Sequence, residues 1–204
     1  MKSNRQWLVA AALLSIPAAL LLTRMFFFRP FDAPSVSMAP TINRGDYFLA
    51  SLRAFAANGP DRGDVVVFRT SAGDFVKRVA GIPGDHVRML HGQLVLNGKP
   101  VPRRRVEDFM DQGETGPNAV RQYVETLPSG RSYRTLDILD HGPEDDTGDT
   151  VVPPDRYFVL GDNRDNSDDS RLDVGFVRRA DLVGRVAVKF VDGRRGTPVW
   201  TPVN

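Results

Sequence analysis

The chain has 204 residues, no cysteine, and 27 basic against 25 acidic side chains. Disulfides, thiolate nucleophiles and cysteine-based metal sites are thereby excluded. Residues 1–31 hold Lys2, Arg5, Arg24 and Arg29 and no acid, which leaves 23 basic and 25 acidic side chains in the remainder. That distribution argues against a nucleic-acid-binding body and places the basic end against anionic lipid.

Residues 7–28 (WLVAAALLSIPAALLLTRMFFF) are apolar apart from Ser15, Thr23 and Arg24, and a membrane span needs roughly 20 such residues. Arg24 lies near the far end, where it can snorkel to the headgroups, and Pro17 is better tolerated in a membrane helix than in a soluble one. The competing reading is a cleaved signal peptide, but the small residues fall inside the apolar run rather than after it. The sequence therefore predicts a single-pass anchor. The amino terminus with Lys2 and Arg5 outweighs Arg24 and Arg29, so residues 1–6 are expected in the cytoplasm and residues 29–204 on the extracytoplasmic side.

From residue 31 onward the pattern is β-like. Val-rich or alternating runs at 64–69, 74–80, 121–126, 132–138, 156–160 and 182–191 are separated by Gly and Pro turns. Residues 93–96 and 99–101 flank Asn97-Gly98, the strongest short hairpin signal. A short helix is expected at 52–57 (LRAFAA). The fold class expected is mainly β: a bent, barrel-like antiparallel catalytic domain, preceded by one transmembrane helix. Residues of about 102–150, rich in charges, Gly and Pro, read as an inserted smaller β lobe.

Three stretches carry candidate chemistry. In residues 34–41 (PSVSMAPT), an extended chain would turn Ser35 and Ser37 to one side. A serine hydroxyl attacks only when a base takes its proton, and the three histidines, His86, His91 and His141, sit in turn-like settings with no sign of a triad. The other base is a lysine kept neutral by burial. In residues 75–79 (FVKRV), alternation places Lys77 between Phe75 and Val79, with Arg78 on the opposite face. On spacing alone an exposed edge lysine remains the commoner arrangement. The third stretch, residues 161–171 (GDNRDNSDDSR), lacks the mid-loop Gly and terminal Glu of a calcium loop, so no metal is expected there. Its plain reading is a set of turns tied by Asx hydrogen bonds and an Asp–Arg pair.

Together with residues 45–50 (GDYFLA), 62–68 (RGDVVVF), 75–85 (FVKRVAGIPGD) and 176–185 (FVRRADLVGR), in this order and after an anchor, these stretches resemble the type I signal peptidases. Those are membrane-anchored Ser–Lys proteases that remove leader sequences. The resemblance implies Ser37 as nucleophile, Lys77 as general base, Ser35 as an oxyanion donor and Ser167 as the group orienting the lysine. It further implies Asp162, Asp169 and Arg171 as supports and Met38 as a pocket-lining side chain. It implies preprotein signal peptides and the lipid bilayer as partners, a monomer, no cofactor, and a place in a bacterial inner membrane with the catalytic domain outside the cytoplasm. Other classes stay open at this point: a related peptidase dedicated to one precursor, a tethered peptide-binding β domain, and an autoproteolytic regulator.

Overall fold

The computed structural model describes Ser15, residues 27–113 and residues 116–203. The anchor expected at residues 7–28 lies outside this range except for Ser15, Phe27 and Phe28. Among the described residues no helix is long and apolar enough to cross a membrane. The body is mainly β, as expected. Its strands are β1 (Phe28–Asp32), β2 (Tyr47–Ser51), β3 (Val65–Thr70), β4 (Gly73–Gly81), β5 (His86–Leu90), β6 (Gln93–Leu96), β7 (Lys99–Pro100) and β8 (Arg103–Arg105). They continue with β9 (Phe109–Gly113), β10 (Gly116–Thr126), β11 (Ser132–Asp137), β12 (Thr150–Val151), β13 (Arg156–Leu160), β14 (Val177–Arg178), β15 (Leu182–Asp192) and β16 (Thr197–Pro202).

The main sheet runs β1-β2-β15-β3-β4-β13-β14, with β16 also on β15. The pairings within it are antiparallel. Strand β15 shifts register against its neighbours near Gly184, Val188 and Lys189, and such bulges bend a strand and tighten its twist. A second sheet joins β12, β5, β6 and β7, and a third joins β8, β10 and β11 with β9 on β10.

Strand β3 shows why its sequence is a continuous apolar run rather than an alternating one. Val65 and Val67 enter a core with Met38, Ile42, Phe48 and Val186, while Val66 and Phe68 enter another with Val79, Tyr157 and Val159. Both faces are covered, and each such buried side chain contributes about 1.5–3 kcal/mol. Its partner β4 is buried on both faces from Lys77 to Gly81. Two polar side chains, Lys77 and Arg78, are thus drawn into the interior side by side.

The helix expected at 52–57 is absent; those residues form turns. Six residues are too few to nucleate a helix without packing, and the Leu52 N–H instead donates to the Phe27 carbonyl at 2.9 Å.

Candidate active site

Residues 35–42 are not extended. They form successive turns, with Ala39 N–H donating to Val36 O at 3.0 Å and Ile42 N–H to Met38 O at 2.9 Å. The two hydroxyls nonetheless converge: Ser35 Oγ lies 3.1 Å from Ser37 Oγ and 3.5 Å from the Ser37 N–H that donates to it. Strand β4 brings the amine. Lys77 stands opposite Val66 in register, with Phe75 opposite Phe68, and its Nζ donates to Ser37 Oγ at 2.7 Å. Ser37 is 6% exposed and Lys77 3%, so their contact is shielded from water.

Burial pulls the Lys77 amine down from 10.5 to about 8, against the attraction of Asp169, Asp168 and Asp162; Arg171 adds to the lowering. The amine is therefore substantially neutral in mildly alkaline solution, as a proton acceptor must be. Once neutral, its lone pair can accept the Ser37 O–H across the same 2.7 Å.

The loop 161–171 holds the backbone that carries Ser37. Asn163 donates from its backbone N–H to Ser37 O at 3.0 Å and from Nδ2 to Val36 O at 3.3 Å. Asp169 accepts from Gly161 N–H at 3.0 Å and from Arg171 Nε and Nη2, both at 2.9 Å. Burial alone would raise the Asp169 carboxyl. The Arg171 guanidinium and the Gly161 and Arg171 N–H groups outweigh it and hold the group below its ordinary value. Asp162 is almost wholly buried and accepts Arg78 Nε and Nη2, each at 2.8 Å. It also accepts the Thr41 hydroxyl at 2.5 Å.

The third sheet also reaches this loop. Leu136 of β11 exchanges backbone hydrogen bonds with it: Leu136 N–H donates to Asp162 O at 2.7 Å and Arg164 N–H to Leu136 O at 3.0 Å. Glu125 of β10, 1% exposed, accepts Arg164 Nη2 at 2.6 Å and Tyr133 Oη at 3.1 Å.

Ser37 and Lys77 open into a cleft of about 310 Å³, with Phe31, Phe48 and Val76 on its apolar wall and Ser35 at its mouth. A larger depression of about 690 Å³ lies between the third sheet and β16, but neither Ser37 nor Lys77 lines it. The buried hydroxyl and amine both face the smaller cleft.

The structure brings Ser35, Ser37 and Lys77 into contact and places Asp162, Asp169 and Arg171 beneath them. Two expected residues sit differently. Met38 is 1% exposed and packs in the core with Ala33, Ile42 and Phe48 rather than on the cleft wall, because the turn at 36–39 directs it inward. Ser167 does not hydrogen-bond the amine; its Oγ is buried without a hydrogen-bond partner, held against the backbone of Gly161.

Gly161 itself was not singled out from sequence. A methyl group on it would come within 2.2 Å of Ser167 Oγ and 2.6 Å of the Ser37 carbonyl oxygen. Gly161→Ala is expected to displace the nucleophile's backbone and cost about 10²-fold in kcat, with about 1–3 kcal/mol of stability lost to overpacking. Steady-state kinetics beside a urea melt checks both, and unchanged turnover would show that the loop does not hold Ser37.

The family model described as "Signal peptidase, peptidase S26" matches residues 5–191. The signal peptidase I of Rickettsia typhi is 31% identical over 194 residues, covering 81% of this chain and 72% of that protein. That of Rickettsia prowazekii is 33% identical over 186 residues, covering 77% and 69%. A crystal structure of a signal peptidase I from Enterococcus faecalis V583 is 29% identical, covers 62% of this chain and 95% of that one, and superposes with a TM-score of 0.36. With a family model spanning residues 5–191 and relatives of one name matched over 69–72% of their own length, the chain belongs to the signal peptidase family, peptidase S26.

Proposed function

We propose that this signal peptidase, a serine endopeptidase that removes signal peptides, cuts its substrates through an ester formed on Ser37, with Lys77 as the base. The observation that carries the assignment is the 2.7 Å contact between a buried amine and a buried hydroxyl. The neutral Lys77 amine takes the Ser37 proton as Oγ attacks the scissile carbonyl. The oxyanion is held by the Ser37 N–H and the Ser35 hydroxyl, each such donor being worth about 2.7–4 kcal/mol in the transition state. The C–N bond breaks, Lys77 returns the proton to the departing amine, and water then hydrolyses the ester with Lys77 again as base. Asp162, Asp169 and Arg171 position the loop.

The substrates are preprotein leaders, lying extended in the cleft with small side chains against its apolar wall. Residues 7–28 form the transmembrane anchor, residues 1–6 lie in the cytoplasm, and the catalytic body, with the lobe of about residues 102–150, works as a monomer on the extracytoplasmic side. The tether raises the local concentration of membrane-delivered leaders.

The pH dependence tests the base. Below the Lys77 pKa of about 8, kcat/KM should fall about tenfold per pH unit, because only the unprotonated fraction acts. A profile measured on a preprotein that stays flat from pH 6 to 9 removes Lys77 from the role.

A further inference from the structure

The cleft at Ser37 does not close at Lys77. Phe75 and Asp168 line it, and the same two residues line a second depression of about 580 Å³, a size typical of ligand sites. Phe68, Phe176 and Val177 form an apolar floor there. The depression lies between the β3–β4 turn and the segment leading into β14.

A peptide cut at Ser37 has two arms, and in the substrate pose proposed above the arm before the cut lies against the apolar wall near Ser35. The arm after the cut carries the departing amine, which must receive its proton from Lys77. Phe75 precedes Lys77 by two residues on β4, with its ring centroid 5.7 Å from Nζ. The second depression therefore opens where the departing amine is released.

Its charges are unbalanced. Arg178 is held by Asp181 at 2.6 and 2.7 Å, and Arg69 by Asp74 at 3.5 Å. Asp168 and Asp173 are exposed, and neither makes an ion pair among the described residues. We propose that this depression binds the first residues of the mature chain, and that Asp168 and Asp173 make it select basic over acidic side chains there. The inference rests on the Ser37–Lys77 assignment and adds to it a second arm of the substrate site, with a charge preference.

The test uses the full-length protein in detergent and one preprotein carrying Lys, Gln or Glu at the second and third positions after the cut. The readout is the ratio of kcat/KM for the Lys and Glu substrates. Taken within one enzyme, that ratio cancels any effect of a substitution on Lys77. The wild type should favour Lys about tenfold at low salt, as expected for two partly screened charge pairs, and less at high salt. The Asp168→Asn/Asp173→Asn variant should bring the ratio to about twofold or below, and Asp173→Lys should shift it toward Glu. A wild-type ratio near one, or a ratio unmoved in both variants, overturns the proposal. Ser37→Ala on the same panel separates the two failures. If it still cuts, the active-site assignment is wrong; if it is inert while the ratio is flat, only the charge-selecting groove is wrong.

Discussion

Lys77→Met is expected to lower kcat by about 10²–10⁴-fold and at the same time to raise the melting temperature. The rate loss is what a positioned general base supplies. Methionine keeps the unbranched stem between Phe75 and Val79 and removes only the amine. The gain in stability follows from the same burial that makes the base. A drop from 10.5 to about 8 corresponds to about 3 kcal/mol. The unfolded lysine gains its proton as pH falls through 10.5, the folded one only through about 8. Wild-type stability therefore declines from pH 10.5 to 8 and stays at its lower level below that. The variant lacks this slope, so its advantage should be full at pH 7 and vanish near pH 11. Thermal melts at the two pH values, beside single-turnover cleavage, read both effects. Near-normal turnover by Lys77→Met, or by Ser37→Ala, would dismiss the pair as the catalytic centre.

Asp162→Asn is expected to cost about 3–5 kcal/mol of stability, the usual consequence of removing one member of a buried ion pair. Arg78 and Asp162 are 2% and 1% exposed and meet in a two-pronged contact. Arg78 also donates to the Gly63 carbonyl at 2.7 Å and lies 4.1 Å over the Tyr133 ring. Asparagine preserves the shape but leaves the guanidinium facing a neutral group. At a few degrees per kcal/mol for a chain of this size, the melting temperature should fall by about 10 °C. Activity should fall with it, because Arg78 adjoins Lys77 and Thr41 follows Ser37 by one turn. Replacing both partners, Arg78→Met with Asp162→Leu, should recover most of the stability, since apolar substitutes for a buried pair are often neutral. A loss below about 1 kcal/mol in Asp162→Asn would show that the pair holds nothing in place.

Lys77 was legible through the family resemblance of residues 75–85; its place between Phe75 and Val79 at strand spacing was consistent with burial but did not by itself displace an exposed edge lysine. Arg78 was not. The same alternation put it on an outer face, and only β13, the loop 161–171 and Tyr133 turn that face into an interior. Glu125 was hidden for a like reason. In a stretch crowded with charge nothing marks one carboxylate as buried, and its partner Arg164 lies 39 residues on. Ser35 and Ser37 were paired correctly on an incorrect premise, since tight turns rather than an extended chain bring their hydroxyls to 3.1 Å. The strands with hairpin signals, such as β6 and β10–β11, were readable from turn chemistry. The partners of β15 were not, because its neighbours β2 and β3 come from far earlier in the chain.

That last pairing bears on the order in which the molecule can be assembled. Ser37 precedes β2 and Lys77 lies on β4, and β15 is the strip that joins their two halves of the sheet. A ribosome has to deliver residue 192 before the halves can be welded together. Until then β2 lacks its ladder to β3 through β15, and the newborn chain is expected to be inactive toward the nascent chains around it. A chain cut short ahead of β15 is expected to show no cleavage, which a truncation assayed on a preprotein would check.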